Sequence, residues 1–183
     1  MYMRSIVNVI AFQIGWSAAV LGAANGMPWL GVVAVPLVLG LHLALSPDWR
    51  PEFLIAASAA VVGFMIDSAL IALGVFSPIP YGFPSPFSSL WMVMLWINLA
   101  ATLNVSMGWL RGRYALSAVF GAVGGPLAYY SGAQLGAMTR VPVPADLIRI
   151  GIAWAIALPL LYLMTKLIND RFSKNESSFI HRG

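Results

Sequence analysis

The sequence predicts an all-α integral membrane bundle of six transmembrane helices, with both termini cytoplasmic. Three observations carry this. First, the 183 residues are 60% hydrophobic and 9% charged, with a mean hydropathy of +0.85, whereas soluble domains carry about 25% charged residues. Second, six apolar runs approach the roughly 17–25 residues that a spanning helix needs. Third, the ten basic residues divide eight to two when the connecting loops are assigned to alternate sides. Arg4, Arg50, Arg111, Arg113, Lys166, Arg171, Lys174 and Arg182 fall on one side, leaving Arg140 and Arg149 on the other. Basic loops stay cytoplasmic, so the larger group sets the inner face. The length fits a single domain, residues 1–168, followed by a polar tail at 169–183.

The first run, Ser5–Ala24, begins like a signal peptide, with Arg4 ahead and Gly22-Ala23-Ala24 behind. It is longer than the roughly 7–15 residues of a signal core and contains Asn8, Gln13 and Trp16, so it reads as a retained span. The second, Leu30–Leu45, is the shortest. It either extends at Trp29 or crosses a thin region, and five spans plus a re-entrant segment is the alternative. The third, Phe53–Val75, holds Asp67, the sole carboxylate inside an apolar run. The fourth to sixth are Ser89–Leu110, Ala115–Ala137 and Leu147–Leu167.

Two outer loops are proline-rich. Ser77–Ser88 contains Pro78, Pro80, Pro84 and Pro86 among Tyr81, Phe83 and Phe87. It reads as an ordered cap or, by preference, as a plain connection whose aromatics join Trp29 and Trp91 in an interfacial belt. Val141–Asp146 contains Pro142 and Pro144. Leu21-Gly22-Ala23 and Leu135-Gly136-Ala137 both close outward-going runs, too short a match to define a repeat.

Helix faces follow from about 100° per residue. Ala56, Ala60, Gly63, Ile71 and Gly74 share the face of Asp67, so the acid points at a neighbouring helix. Gly121, Gly125, Ala128, Gly132 and Gly136 form a small-residue ladder on the fifth run, which lets helices approach closely in lipid. Pro126 removes the usual donor for the Ala122 carbonyl, and Pro36 and Pro159 act likewise in their runs. Counting about 1.5 Å per residue from the inner end puts Asp67 at roughly 21 Å, Asn98 at roughly 18 Å and Tyr129 at roughly 22 Å, with Tyr130 and Gln134 higher. These five form a candidate substrate-binding layer. Asn8, His42 and Asn104 lie at roughly 4–9 Å and form a second candidate layer.

Several chemistries are disfavoured. Cysteine is absent, which removes disulfides and thiol nucleophiles. No His-Glu-x-x-His, histidine cluster or pair of membrane carboxylates occurs, so no metal site or cofactor is expected. Tyr130-Ser131-Gly132 has no histidine at its depth to activate a serine. Gly124-Gly125-Pro126 lacks the lysine of a phosphate loop. Basic residues are too scattered for nucleic acid.

Several stretches resemble a family of small bacterial multi-span inner-membrane proteins known only as a domain of unknown function. They are Phe12-Gln13-Ile14-Gly15-Trp16, Leu21-Gly22-Ala23-Ala24, Leu41-His42-Leu43, Thr102-Leu103-Asn104, Trp109-Leu110-Arg111-Gly112-Arg113 and Gly124-Gly125-Pro126-Leu127-Ala128-Tyr129-Tyr130 with Gly132. The resemblance spans about residues 8–168. It implies a bacterial inner-membrane location and a loose link to lipids, and supplies no catalytic residues.

Three functional expectations result. The leading one is binding or movement of a hydrophobic, lipid-like small molecule at the Asp67 layer. It requires a cavity there; an acid sealed between helices argues for a staple instead. The second is an accessory subunit of a lipid-modifying system, docking a membrane protein partner on its glycine faces. The third, an enzyme using Asp67, lacks a second catalytic group.

Overall fold

The computed structural model describes residues 2–180, with side chains from 3 to 174. Arg182, assigned above to the inner face, lies outside the described residues. The fold is all-α. Six α-helices follow one another: α1 (Tyr2–Ala24), α2 (Trp29–Ala44), α3 (Trp49–Ala72), α4 (Leu90–Leu103), α5 (Tyr114–Gln134) and α6 (Pro144–Ile180). Three segments, Met3–Ala24, Trp49–Ala72 and Pro144–Lys174, are long and apolar enough to cross a membrane, while α2 and α4 are apolar but shorter. Large apolar side chains such as Leu37, Val61, Met65 and Ile156 stand exposed on the outside. A soluble monomer rarely shows so much contiguous apolar surface, so the chain reads as a membrane protein.

Helix ends follow local chemistry. Asp48 caps α3 by accepting from the Arg50 amide at 3.0 Å, which satisfies one of the orphan donors of a first turn. α1, α3 and α5 end alike, each on a glycine of positive φ: Gly26, Gly74 and Gly136. After each, the next amide reaches back to a carbonyl of the last turn, as Met27 to Gly22, Val75 to Leu70 and Ala137 to Gly132. This is the Schellman closure, which favours a residue without a Cβ. It also corrects the tripeptide comparison. Gly22 lies inside its helix and Gly136 lies beyond its own, so the two are not equivalent.

Two boundaries differ from the hydropathy. The run expected to end at Leu110 stops being α-helical at Leu103, and Gly108–Leu110 forms a separate 3₁₀ turn. Asn8 Oδ1 accepts from the Ser106 amide at 3.3 Å and its hydroxyl at 2.6 Å, so side chain competes with helix for that backbone. At the other end, α6 runs past Leu167 into the expected tail, and Asn169 donates to Asn104 at 3.1 Å. Helical character persists through Pro36, Pro126 and Pro159. The Ala122 carbonyl freed by Pro126 faces Gly151 of α6, where a Cβ would sit 3.0 Å from it.

The two proline-rich loops are joined. Ser77–Pro78 (β1) pairs antiparallel with Met138–Arg140 (β2). Trp91 Nε1 donates to the Ile79 carbonyl at 2.9 Å, and the Leu90 amide to Tyr81 at 2.8 Å. Residues 77–89 therefore form an ordered cap, the less favoured of the two expectations. Beneath it, α5 packs along α6, α6 on α3, α3 on α4, and α4 on α1 and α2, which also pack on each other.

Candidate functional site

Asp67 is fully buried. Three donors converge on its carboxyl group. Tyr129 of α5 donates its hydroxyl to Oδ1. Trp96 of α4 donates Nε1 to Oδ2 at 2.9 Å, and Ser88 of the cap reaches the same oxygen at 3.5 Å. The Ser88 amide in turn donates to Ser68 Oγ at 2.9 Å. One acid thus ties together three helices and the cap. Burying it without such partners would be severely unfavourable.

The aromatic groups are held in turn. Trp96 stacks on Trp154 of α6, with centroids 4.4 Å apart and planes inclined by 14°. Tyr129 meets Phe76 edge-on at 5.0 Å and Trp154 at 6.4 Å. Glycines make this closeness geometrically feasible. A Cβ on Gly63 would lie 2.0 Å from Trp96 Cγ, and one on Gly125 would lie 2.3 Å from Trp154 Cγ. A Cβ on Gly121 would lie 2.2 Å from the Trp154 carbonyl oxygen. Gly132 has only ordinary contacts, with Met138 and Val20 at 3.9 Å, and Gly136 closes its helix. Gly63, Gly121 and Gly125 therefore serve internal packing rather than an outward docking face.

A cavity of about 220 Å³ adjoins this knot. It lies between Phe12 and Trp16 of α1 and Gly124 and Ala128 of α5, with Trp96 and Trp154 at its back. Gly124 and Ala128 are exposed, so the space opens sideways between α1 and α5. Asp67 borders the cavity, but donors occupy both carboxyl oxygens. What faces the space is the wall that Asp67 holds. The Trp154 indole N–H is buried behind this wall with no acceptor at full hydrogen-bond geometry, its neighbour being the Tyr129 oxygen. The Tyr129 oxygen, its proton committed to Asp67, keeps lone pairs that can accept a bond.

The expected substrate layer is only partly assembled. Tyr129 bonds Asp67. Asn98, on the opposite side of α4 from Trp96, turns to α1 and donates to the Phe12 carbonyl at 2.8 Å. Its Oδ1 is buried without a partner. Tyr130 and Gln134 are exposed and point away from Asp67. Each lies well round the helix from Tyr129, by about 100° and 140°.

The second layer divides. His42 and Asn104 are bridged by Glu52, each at 3.0 Å. Asn104 Oδ1 also accepts from Arg111 at 3.4 Å. Asn8 bonds neither; it donates to the Ala101 carbonyl at 2.9 Å and receives Ser106. Among the described residues no three His, Cys, Asp or Glu side chains cluster as a metal site would require.

Four participants lie outside the two expected layers: Trp96, Ser88, Trp154 and Glu52. Trp96 had a usable signal, because the same rise per residue puts it at about 21 Å, level with Asp67. Glu52 had one too, standing ten residues from His42 across a short turn. Trp154 had one as well, since thirteen residues from Leu167 put it at about 20 Å; Ser88 carried none that hydropathy or depth could expose.

A family model described as a protein of unknown function, DUF2878, matches residues 5–160. The chain belongs to that family. No curated protein and no solved structure matches it.

Proposed function

We propose that this chain is a six-span protein of the bacterial inner membrane, with both termini cytoplasmic, that binds a small lipid-like molecule in the groove between α1 and α5. The observation that carries the reading is the sideways-opening cavity of about 220 Å³ backed by Trp96, Tyr129 and Trp154. Ligand pockets are mostly apolar with few polar groups. Here the polar groups are few, a buried indole N–H and the buried tyrosine oxygen beside it. They suit an uncharged head, such as a hydroxyl, on an apolar body that extends towards lipid.

Asp67 acts as the post that fixes this wall. Donors cover its carboxyl group, so it neither touches the ligand nor serves as acid or base. The orientation is supported by the two basic residues that break the charge rule. Arg140 and Arg149 both bond Asp146, at 3.2 and 3.0 Å, so the charge of the outer end is partly balanced. Internal use of Gly121 and Gly125 leaves the accessory reading without its expected docking surface.

The test is membrane lipid profiling of wild-type, deletion and two rescued strains, one carrying Gly124→Leu and one Asp67→Asn. Gly124 lines the groove, and a Cβ there meets nothing within 4 Å, so the leucine fills space without distorting the fold. The proposal expects Gly124→Leu to reproduce the deletion profile and Asp67→Asn to restore the wild type. Full rescue by stably expressed Gly124→Leu would refute the groove.

A further inference from the structure

A second, larger cavity of about 410 Å³ lies between α1, α2 and α4. It is separate from the Asp67 groove; of all the lining residues only Phe12 borders both. Its volume falls within the roughly 300–1,000 Å³ of ordinary ligand pockets. Its walls are mainly aliphatic, with Val7, Ala11, Val38, Leu41 and Leu45 among them. Arg4 stands near one end of α1, and Phe12 stands eight residues further along, about 12 Å by helical rise. The cavity is thus a slot with a cation at one end and apolar walls beyond.

Of the other polar groups on the walls, among the described residues only the Asn98 Oδ1 atom lacks a partner, and it is an acceptor, unable to hold an anion. His42 bonds Glu52 at 3.0 Å, Asn8 bonds Ala101 and Ser106, and Thr102 donates to the Leu99 carbonyl at 2.7 Å. Arg4 forms no ion pair or hydrogen bond among the described residues. A guanidinium recognises a carboxylate or phosphate through paired charged hydrogen bonds, and its aliphatic stem can lie along an apolar wall.

We infer that this slot binds one single-chain amphiphile with an anionic headgroup, the head on Arg4 and the alkyl chain between α1, α2 and α4. This site is independent of the Asp67 groove. Carboxylate and phosphate heads share the required chemistry, and the probes below separate them.

The experiment is saturation binding of radiolabelled dodecanoate to the purified full chain in a neutral maltoside detergent. Competitors of equal chain length are dodecyl phosphate, dodecanol and dodecyltrimethylammonium. Saturable binding is expected, displaced by unlabelled dodecanoate but not by the cationic or neutral chain. Displacement by dodecyl phosphate marks a general anion site; failure to displace marks carboxylate selectivity. Arg4→Gln should weaken dodecanoate binding at least tenfold, and Val38→Trp should abolish it by filling the slot. Gly124→Leu should change nothing, so this site and the Asp67 groove fail separately. If Val38→Trp elutes aggregated, Val7→Trp, placed on an exposed α1 position, replaces it. Equal displacement by dodecyltrimethylammonium, undiminished binding by Arg4→Gln, or retained binding in the filled variant would overturn the proposal.

Discussion

Gly63→Ala adds one methyl group at the most crowded point beside Asp67. The new Cβ would stand 2.0 Å from Trp96 Cγ and 2.3 Å from both Cδ1 and Cδ2. Contacts under 3.0 Å do not occur, so the indole must retreat by about 1 Å. It has little freedom to do so. One face is stacked on Trp154, and its N–H is held by Asp67 at 2.9 Å. Overpacking of this kind costs about 1–3 kcal/mol. Breaking the bond to the buried carboxyl group costs a further 1–3 kcal/mol or so. Better helix propensity returns at most about 1 kcal/mol. The net loss is about 1–5 kcal/mol. The same substitution at Gly124, where a Cβ meets nothing, keeps only the propensity gain, so the paired variants isolate packing from backbone effects. Equilibrium unfolding in detergent measures both, and tryptophan fluorescence reports the shift of Trp96. Equal stability of Gly63→Ala and wild type would refute the packing argument.

Other expectations follow from the same contacts. Asp67→Leu strands the Trp96 N–H and Tyr129 O–H in an apolar interior and should destabilise by about 2–4 kcal/mol. Asp67→Asn can still accept from Trp96 while donating to the Tyr129 oxygen, and should cost no more than about 1 kcal/mol; unfolding midpoints of the two compare them. Gly121→Leu drives a side chain into the Trp154 carbonyl and should prevent monodisperse elution on size-exclusion chromatography, whether or not any partner protein is present. Glu52→Ala removes the bridge between His42 and Asn104 and should lower stability by about 1–2 kcal/mol, read as a lower melting temperature that Glu52→Gln largely restores.

The helices were legible because lipid-compatible apolar runs are long and separated by polar turns. Their ends were less so, because hydropathy does not register hydrogen-bond competition. The segment Asn104–Leu110 is apolar enough to continue α4, yet Asn8 claims the backbone of Ser106. Asn169 and Asp170 look like the start of a tail, yet polar residues continue a helix readily. At the site, depth counting puts Tyr129 level with Asp67, and the two are hydrogen-bonded. Depth without azimuth does not separate Tyr130 and Gln134, which are exposed and turned away from Asp67. Hydropathy counts tryptophan by its apolar ring and so hides Trp96 beside Asn98, although its N–H is an obligate donor when buried. Choosing between neighbours two residues apart on α4 required knowing which helix lay on which side, and a single sequence does not encode that openly.

Native mass spectrometry of the chain, extracted gently from its own membrane, tests most directly whether the α1–α5 groove holds a ligand. Wild type and Gly124→Leu are measured side by side, with matched monodispersity and melting temperature. The account predicts a discrete bound small molecule on wild type that is missing from Gly124→Leu. Identical sets of bound masses on the two proteins, or none on either, would contradict it.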